Sequence, residues 1–217
     1  MEIKRKQRHG MGSFGTMEIS ILEGTIIAAF FPEAEEMTIK EIQERVEYSY
    51  ERVNSALKLL TEKKIILEKQ KGKTLVYSPD LSNLYVKIGF GSYSLDREID
   101  FIKKHKLIYD AIKEIENNPF SWSVILFGSY SKDTETKQSD VDLIVTCSPG
   151  KEKEVENLIR SLRHKYGINF SPVVLPMHEF SNIKKDNPEL WHDLKMYGIA
   201  FKGDSFYYWM YEYENRN

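Results

Sequence analysis

The chain has 217 residues, with 31 Lys+Arg against 33 Asp+Glu, a formal net charge of −2 and a pI of about 6.3. Hydrophobic residues at 41% and aromatics at 12% are enough to build packed cores, which excludes wholesale disorder. The single cysteine, Cys147, excludes an internal disulfide framework and a cysteine-built zinc site. No run approaches the roughly 20 apolar residues of a membrane-spanning helix, and no leader pattern follows the basic start of the chain. These features read as a soluble, cytoplasmic protein with no membrane partner, long enough for one large domain or two small ones.

In chain order, residues 17–31 carry Ile19, Ile21, Leu22, Ile26, Ile27 and Phe30, which predicts a first helix with a core-facing side. Thr38 followed three residues later by Glu41 is a capping box, so a second helix is expected to start there and run to about Val46. Glu47-Tyr48-Ser49 reads as a turn. Val53, Ala56, Leu57 and Leu60 then mark a third helix, closed by Lys63-Lys64. Ile65-Ile66-Leu67 and Thr74-Leu75-Val76-Tyr77 are β-prone runs joined by the turn Lys71-Gly72-Lys73. The stretch between Ser78 and Glu98 shows little periodicity and contains Gly89, Gly91 and Ser92, so the domain seam is set there, with domains at 1–95 and 96–217.

Helix, turn, helix and hairpin in this order resemble the winged helix-turn-helix family, an α+β fold. That resemblance implies a helix in the DNA major groove, with Tyr50, Arg52 and Asn54 near its start, helped by Tyr48, Ser49 and Ser55. It also implies a hairpin wing whose Lys69, Lys71 and Lys73 meet phosphates. Two features weigh against DNA. Residues 1–98 hold 15 Lys+Arg and 15 Asp+Glu, and Glu41, Glu44, Glu47 and Glu51 crowd the turn. A structural or protein-binding role therefore stands beside the DNA-binding one.

After the seam, helical and strand patterns alternate, which suggests an α/β layer architecture. Phe101, Ile108, Ile112 and Ile115 predict a helix, and Val124-Ile125-Leu126-Phe127 a buried strand, followed directly by Gly128-Ser129. Ser139-Asp140-Val141-Asp142-Leu143-Ile144-Val145 reads as a second strand, with Asp140 and Asp142 on one face and Val141, Leu143 and Val145 on the other. Two neighbouring carboxylates repel unless a cation lies between them, and Mg²⁺ takes carboxylate and phosphate oxygens. A glycine admits close approach of a phosphate to the backbone, and a serine hydroxyl bonds a phosphate oxygen. Together these residue types suit metal-assisted phosphoryl or nucleotidyl transfer.

The two motifs, Phe127-Gly128-Ser129-Tyr130-Ser131-Lys132 and Ser139-Asp140-Val141-Asp142-Leu143-Ile144-Val145, resemble the signature of the DNA polymerase β-type nucleotidyltransferase superfamily, in particular its minimal members. The resemblance spans residues 99–204 and implies an α/β nucleotidyltransferase fold with a mixed sheet flanked by helices. It implies that Gly128, Ser129 and Lys132 contact a nucleoside triphosphate, ATP first among the candidates. It also implies that Asp140 and Asp142 hold Mg²⁺ and are catalytic. Two departures stand out. Asp133 replaces a usual glycine. Ser171 falls where the superfamily carries a third acid, and a serine takes no proton at neutral pH without its own base.

Val155, Leu158, Ile159 and Leu162 predict a further helix, Ile168–Leu175 a third strand, and Asn187-Pro188 the start of a helix ending at Gly198. Ile199–Asp204 resembles the closing strand of the minimal family. The five histidines show no ligand spacing and read as surface or packing residues, and Cys147 reads as inert. The aromatic-rich 206–213 segment reads as packing or a homodimer contact. Three functions remain open. The first is a nucleotidyltransferase acting on an unidentified hydroxyl. The second is a DNA-binding regulator whose nucleotidyltransferase domain senses nucleotide. The third is an antitoxin-like partner of another protein.

Overall fold

In the computed structural model, residues 19–180 and 182–202 are described. The aromatic 206–213 segment, His9 and the basic start of the chain lie outside the described residues.

Two capping boxes launch the first helices. Ser20 and Glu23 exchange backbone and side-chain bonds of 2.8 and 3.2 Å at the start of α1 (Ile21–Ala28). After the short β1 (Met37–Thr38), Thr38 and Glu41 form the expected box at the start of α2 (Ile39–Val46). Glu47, at φ 55°, turns the chain out of α2, and α3 (Tyr50–Glu62) follows within three residues. Ile26, Ile42, Val53, Leu57 and Leu60 interlock with no exposed surface. β2 (Ile66–Lys71) and β3 (Thr74–Pro79) form the wing around Gly72, with β1 added to β3 in the order β1-β3-β2. This half is a winged helix-turn-helix.

The stretch expected to be irregular is instead helical from Leu84. α4 (Leu84–Lys104) is one 21-residue helix capped by Asn83. Gly89, Gly91, Ser92 and Ser94 are weak helix formers, so tertiary packing decides the conformation. A Cβ at Gly89 would stand 3.3 Å from Ile27 Cβ and nearer still to its Cγ2, so glycine lets α4 close onto α1. Phe90 packs edge-on against Phe31 at 4.3 Å, and Phe101 against Phe201 at 5.4 Å. The 95/96 position thus falls inside a continuous helix that packs on both halves.

The spacing over 99–116 predicts a single helix, and the chain breaks it in two. His105, at φ −132° and ψ 46°, ends α4, and α5 (Lys106–Glu116) restarts beyond it. The second half then runs through β4 (Ser121–Phe127), β5 (Val141–Cys147), α6 (Glu152–Tyr166) and β6 (Phe170–Pro176). The short α7 (Met177–Phe180) and α8 (Ile183–Asp186) lead to α9 (Pro188–Tyr197) and β7 (Ile199–Lys202). The four strands form a mixed sheet in the order β6-β5-β4-β7, with β5 and β6 parallel and the other pairs antiparallel.

Both faces of this sheet are covered, which explains the near-continuous apolar runs of β4 and β5. Val124, Leu126, Val141, Leu143 and Val145 join Ile112, Ile115, Val155 and Ile159 in one core. Ile125 and Ile144 face the other way, onto Phe180, Trp191 and Leu194, in a core continuous with that of the winged helix. Asp142 alternates with Leu143 and so lies on the Ile144 face, where β5 emerges from that cover.

Candidate functional site

β4 ends at Phe127, the register partner of Asp142, and the chain turns at Gly128 with φ 72°. L-residues seldom adopt that φ. A Cβ at 128 would also lie 3.0 Å from Asp142 Cγ and closer still to Oδ2. Backbone and carboxylate therefore meet with nothing between them. The turn beyond is self-bonded: the Lys132 and Thr134 N–H groups donate to the Ser129 carbonyl at 3.1 and 3.0 Å, and Ser131 Oγ donates to the Gly128 carbonyl at 3.0 Å.

Asp140 is exposed just before β5, and the Asn169 side-chain amide donates to it. Asp142 is half-buried. Burial pushes its carboxyl above the ordinary aspartate range; a hydrogen bond from Ser171 opposes that rise, and the nearby charge of Asp140 adds to it. Ser171 stands directly beside Asp142 in the parallel register. Among the described residues, no third His, Cys or carboxylate joins Asp140 and Asp142 in a set with ligand atoms all within 4.8 Å of one another.

Lys132 reaches α9, with Nζ 2.7 Å from Asp193 Oδ2 and 5.0 Å from the Tyr197 ring centre. Arg97, on α4, belongs to no motif in the sequence. Its guanidinium donates to the carbonyls of Ser131 at 2.9 Å, Tyr197 at 2.8 Å, Gly198 at 3.2 Å and Met196 at 3.3 Å. It ties the Gly128–Thr134 turn to the C-terminal end of α9, where carbonyls lack helical partners and a cation is favoured. Spacing gives no hint of this, because all four acceptors are backbone groups distant in sequence.

The residues singled out on the winged helix are spread along its outer side. Tyr50 is half exposed, Arg52 stacks over Tyr48 at 4.6 Å, and Asn54 lies on the same helix. Glu36 pairs with both Lys69, at 3.8 Å, and Lys71. Lys73, at the wing tip beside Gly72, has no ion-pair partner among the described residues.

Comparison with known proteins fits this division. Residues 106–195 match the model of the Nucleotidyltransferase domain family. The second half of the chain carries a nucleotidyltransferase domain. Residues 19–117 match the model of the Penicillinase repressor family, so the two matched spans share α5. A protein of Methanocaldococcus jannaschii named as a putative protein adenylyltransferase is 33% identical over 91 residues, covering 39% of this chain. The chain spans 61% of the length of that curated relative. No helix among the described residues is long and apolar enough to cross a membrane.

A nucleotidyltransferase domain implies a nucleoside triphosphate and a divalent cation. The donor set at Gly128 and Asp142 fits them. Asp140 and Asp142 would supply carboxylate oxygens to such a cation, with water and phosphate oxygens completing its ligands.

Proposed function

We propose that the chain binds ATP with Mg²⁺ at Gly128, Ser129, Asp140 and Asp142 and transfers AMP to a protein hydroxyl. The contact of the Gly128 backbone with the Asp142 carboxylate carries this reading. At that strand end, backbone N–H groups would donate to phosphate beside carboxylate oxygens that would hold the cation. The bound cation would neutralise the triphosphate and favour departure of the pyrophosphate. The chain's own contribution is positioning: the self-bonded turn presents Ser129, and Arg97 braces that turn against α9. In the transfer, the acceptor oxygen bonds to the α-phosphorus and the bond to the β-phosphate oxygen breaks. Pyrophosphate leaves, and the acceptor proton passes to solvent. With Ser171 beside Asp142 in place of an acid, slow turnover is expected. The name of the M. jannaschii relative supports a protein as acceptor.

Calorimetry of the full chain with ATP tests the binding step. Saturable binding that requires Mg²⁺ and disappears in Asp140→Asn/Asp142→Asn is expected. Binding unaffected by either change would overturn the reading.

The match to the Penicillinase repressor family favours a second reading, in which the winged helix also binds DNA. The exposed Lys73 and Arg52 support it, while Glu36 blunts the wing. A gel shift that weakens with salt would support DNA binding, and no shift at low salt would refute it.

A further inference from the structure

Outside the aspartate pair, His105, Asp133 and Glu135 bring three ligand atoms within 4.8 Å of one another. We propose that this cluster is a second metal site, for a divalent transition ion of the Zn²⁺ or Mn²⁺ class, that pins the Gly128–Thr134 turn to the α4–α5 junction.

Two ligand atoms make no hydrogen bond there. His105 Nε2 and Glu135 Oε2 are both buried and accept or donate no hydrogen bond. Buried polar atoms are nearly always satisfied, so two unbonded ones within one cluster leave room for an occupant that would satisfy both. The Nε2 to Oε1 separation is 3.4 Å, about the spacing of two ligands on a tetrahedral ion with ~2.1 Å bonds. The imidazole is held in place by Phe101, at 4.9 Å between ring centres, and by Tyr130, edge-on at 5.3 Å. Asp133 takes φ 54°, and Lys104 Nζ holds its Oδ1 at 2.8 Å, which leaves Oδ2 for an ion.

The ligand chemistry sets the class of metal. One imidazole nitrogen with two carboxylate oxygens suits Zn²⁺, Mn²⁺ or Co²⁺, whereas Mg²⁺ and Ca²⁺ prefer oxygen alone. The site is separate from Asp140 and Asp142 and stands whether or not nucleotide transfer occurs. Its structural consequence is local. Asp133 lies four residues after Ser129 and Glu135 six, so a bound ion would order the turn that presents Ser129.

Co²⁺ is the probe, because its visible absorption reports nitrogen and oxygen ligation. The full chain is titrated with Co²⁺ and then with competing Zn²⁺, alongside His105→Gln, Glu135→Gln and Asp140→Asn/Asp142→Asn, each checked for folding by circular dichroism. One equivalent of Zn²⁺-displaceable Co²⁺ is expected in the wild type and in the aspartate double variant. Binding should weaken by more than about tenfold, the loss expected for an outer-shell change, in His105→Gln and Glu135→Gln. Absence of Co²⁺ binding in the wild type would overturn the proposal, leaving His105 and Glu135 as a plain ion pair. Full binding by a folded Glu135→Gln, or loss confined to the aspartate variant, would overturn it equally.

Discussion

Gly128 and Asp142 touch in a way that admits no side chain between them: a Cβ at 128 would lie 3.0 Å from Asp142 Cγ. The φ of 72° at Gly128 adds backbone strain for any other residue. Gly128→Ala is therefore expected to displace the turn or the carboxylate and to abolish Mg²⁺-dependent ATP binding. Calorimetry reads the loss. A destabilisation of about 1–3 kcal/mol should accompany it in urea unfolding.

Asp142 gives a prediction with a definite sign. Its carboxyl is raised in the folded chain, so the folded state holds this proton more tightly than the unfolded state. The group's contribution is most favourable below the ordinary aspartate pKa and is lost as pH rises through the raised value. Asp142→Asn should therefore increase thermal stability at neutral pH while removing metal-dependent nucleotide binding. Melting curves taken across the acid range should show the gain shrinking as pH falls. For the wild type, Mg²⁺ with ATP should bind more tightly as pH rises through the same range, because the ion selects the carboxylate.

Arg97 reaches from α4 to both the Ser131 turn and the end of α9. Its four carbonyl bonds predict that Arg97→Ala costs about 2 kcal/mol in denaturant unfolding. It should also speed hydrogen exchange at Lys132 and Thr134, whose N–H groups close the turn. Arg97→Lys should restore only part of the stability, because a single ammonium cannot reach the same fork of acceptors.

On the wing, the pairing of Glu36 with Lys69 and Lys71 sets an order of effects on any DNA affinity. Lys73→Ala should weaken binding more than Lys71→Ala, and Glu36→Gln should strengthen it. Salt titrations of the gel shift check this, with a log–log slope reduced by about 0.9 for each phosphate no longer neutralised.

Much of this architecture was legible locally. The Thr38/Glu41 box, the Lys71-Gly72-Lys73 turn and the alternation around Asp142 are short-range signals, and each lies where its spacing required. Ser171 was placed as the counterpart of the superfamily's third acid by the resemblance, and the parallel register sets it beside Asp142. α4 was hidden because its glycines and serines lower helix propensity, while Ile27, Phe31 and Phe201, which hold it, are remote in sequence. The role of Arg97 and the meeting of His105 with Asp133 and Glu135 were hidden for the same reason. Their partners are brought together by the fold and share no motif.

Nucleotide transfer itself is tested most directly with two labels. The full chain is incubated with Mg²⁺ and a protein extract, using ATP labelled on either the α- or the γ-phosphate. Acid-stable incorporation into protein from the α-label alone, lost in Asp140→Asn/Asp142→Asn, is the predicted result. Incorporation from the γ-label, or α-label incorporation undiminished in the double variant, would contradict AMP transfer at Asp140 and Asp142.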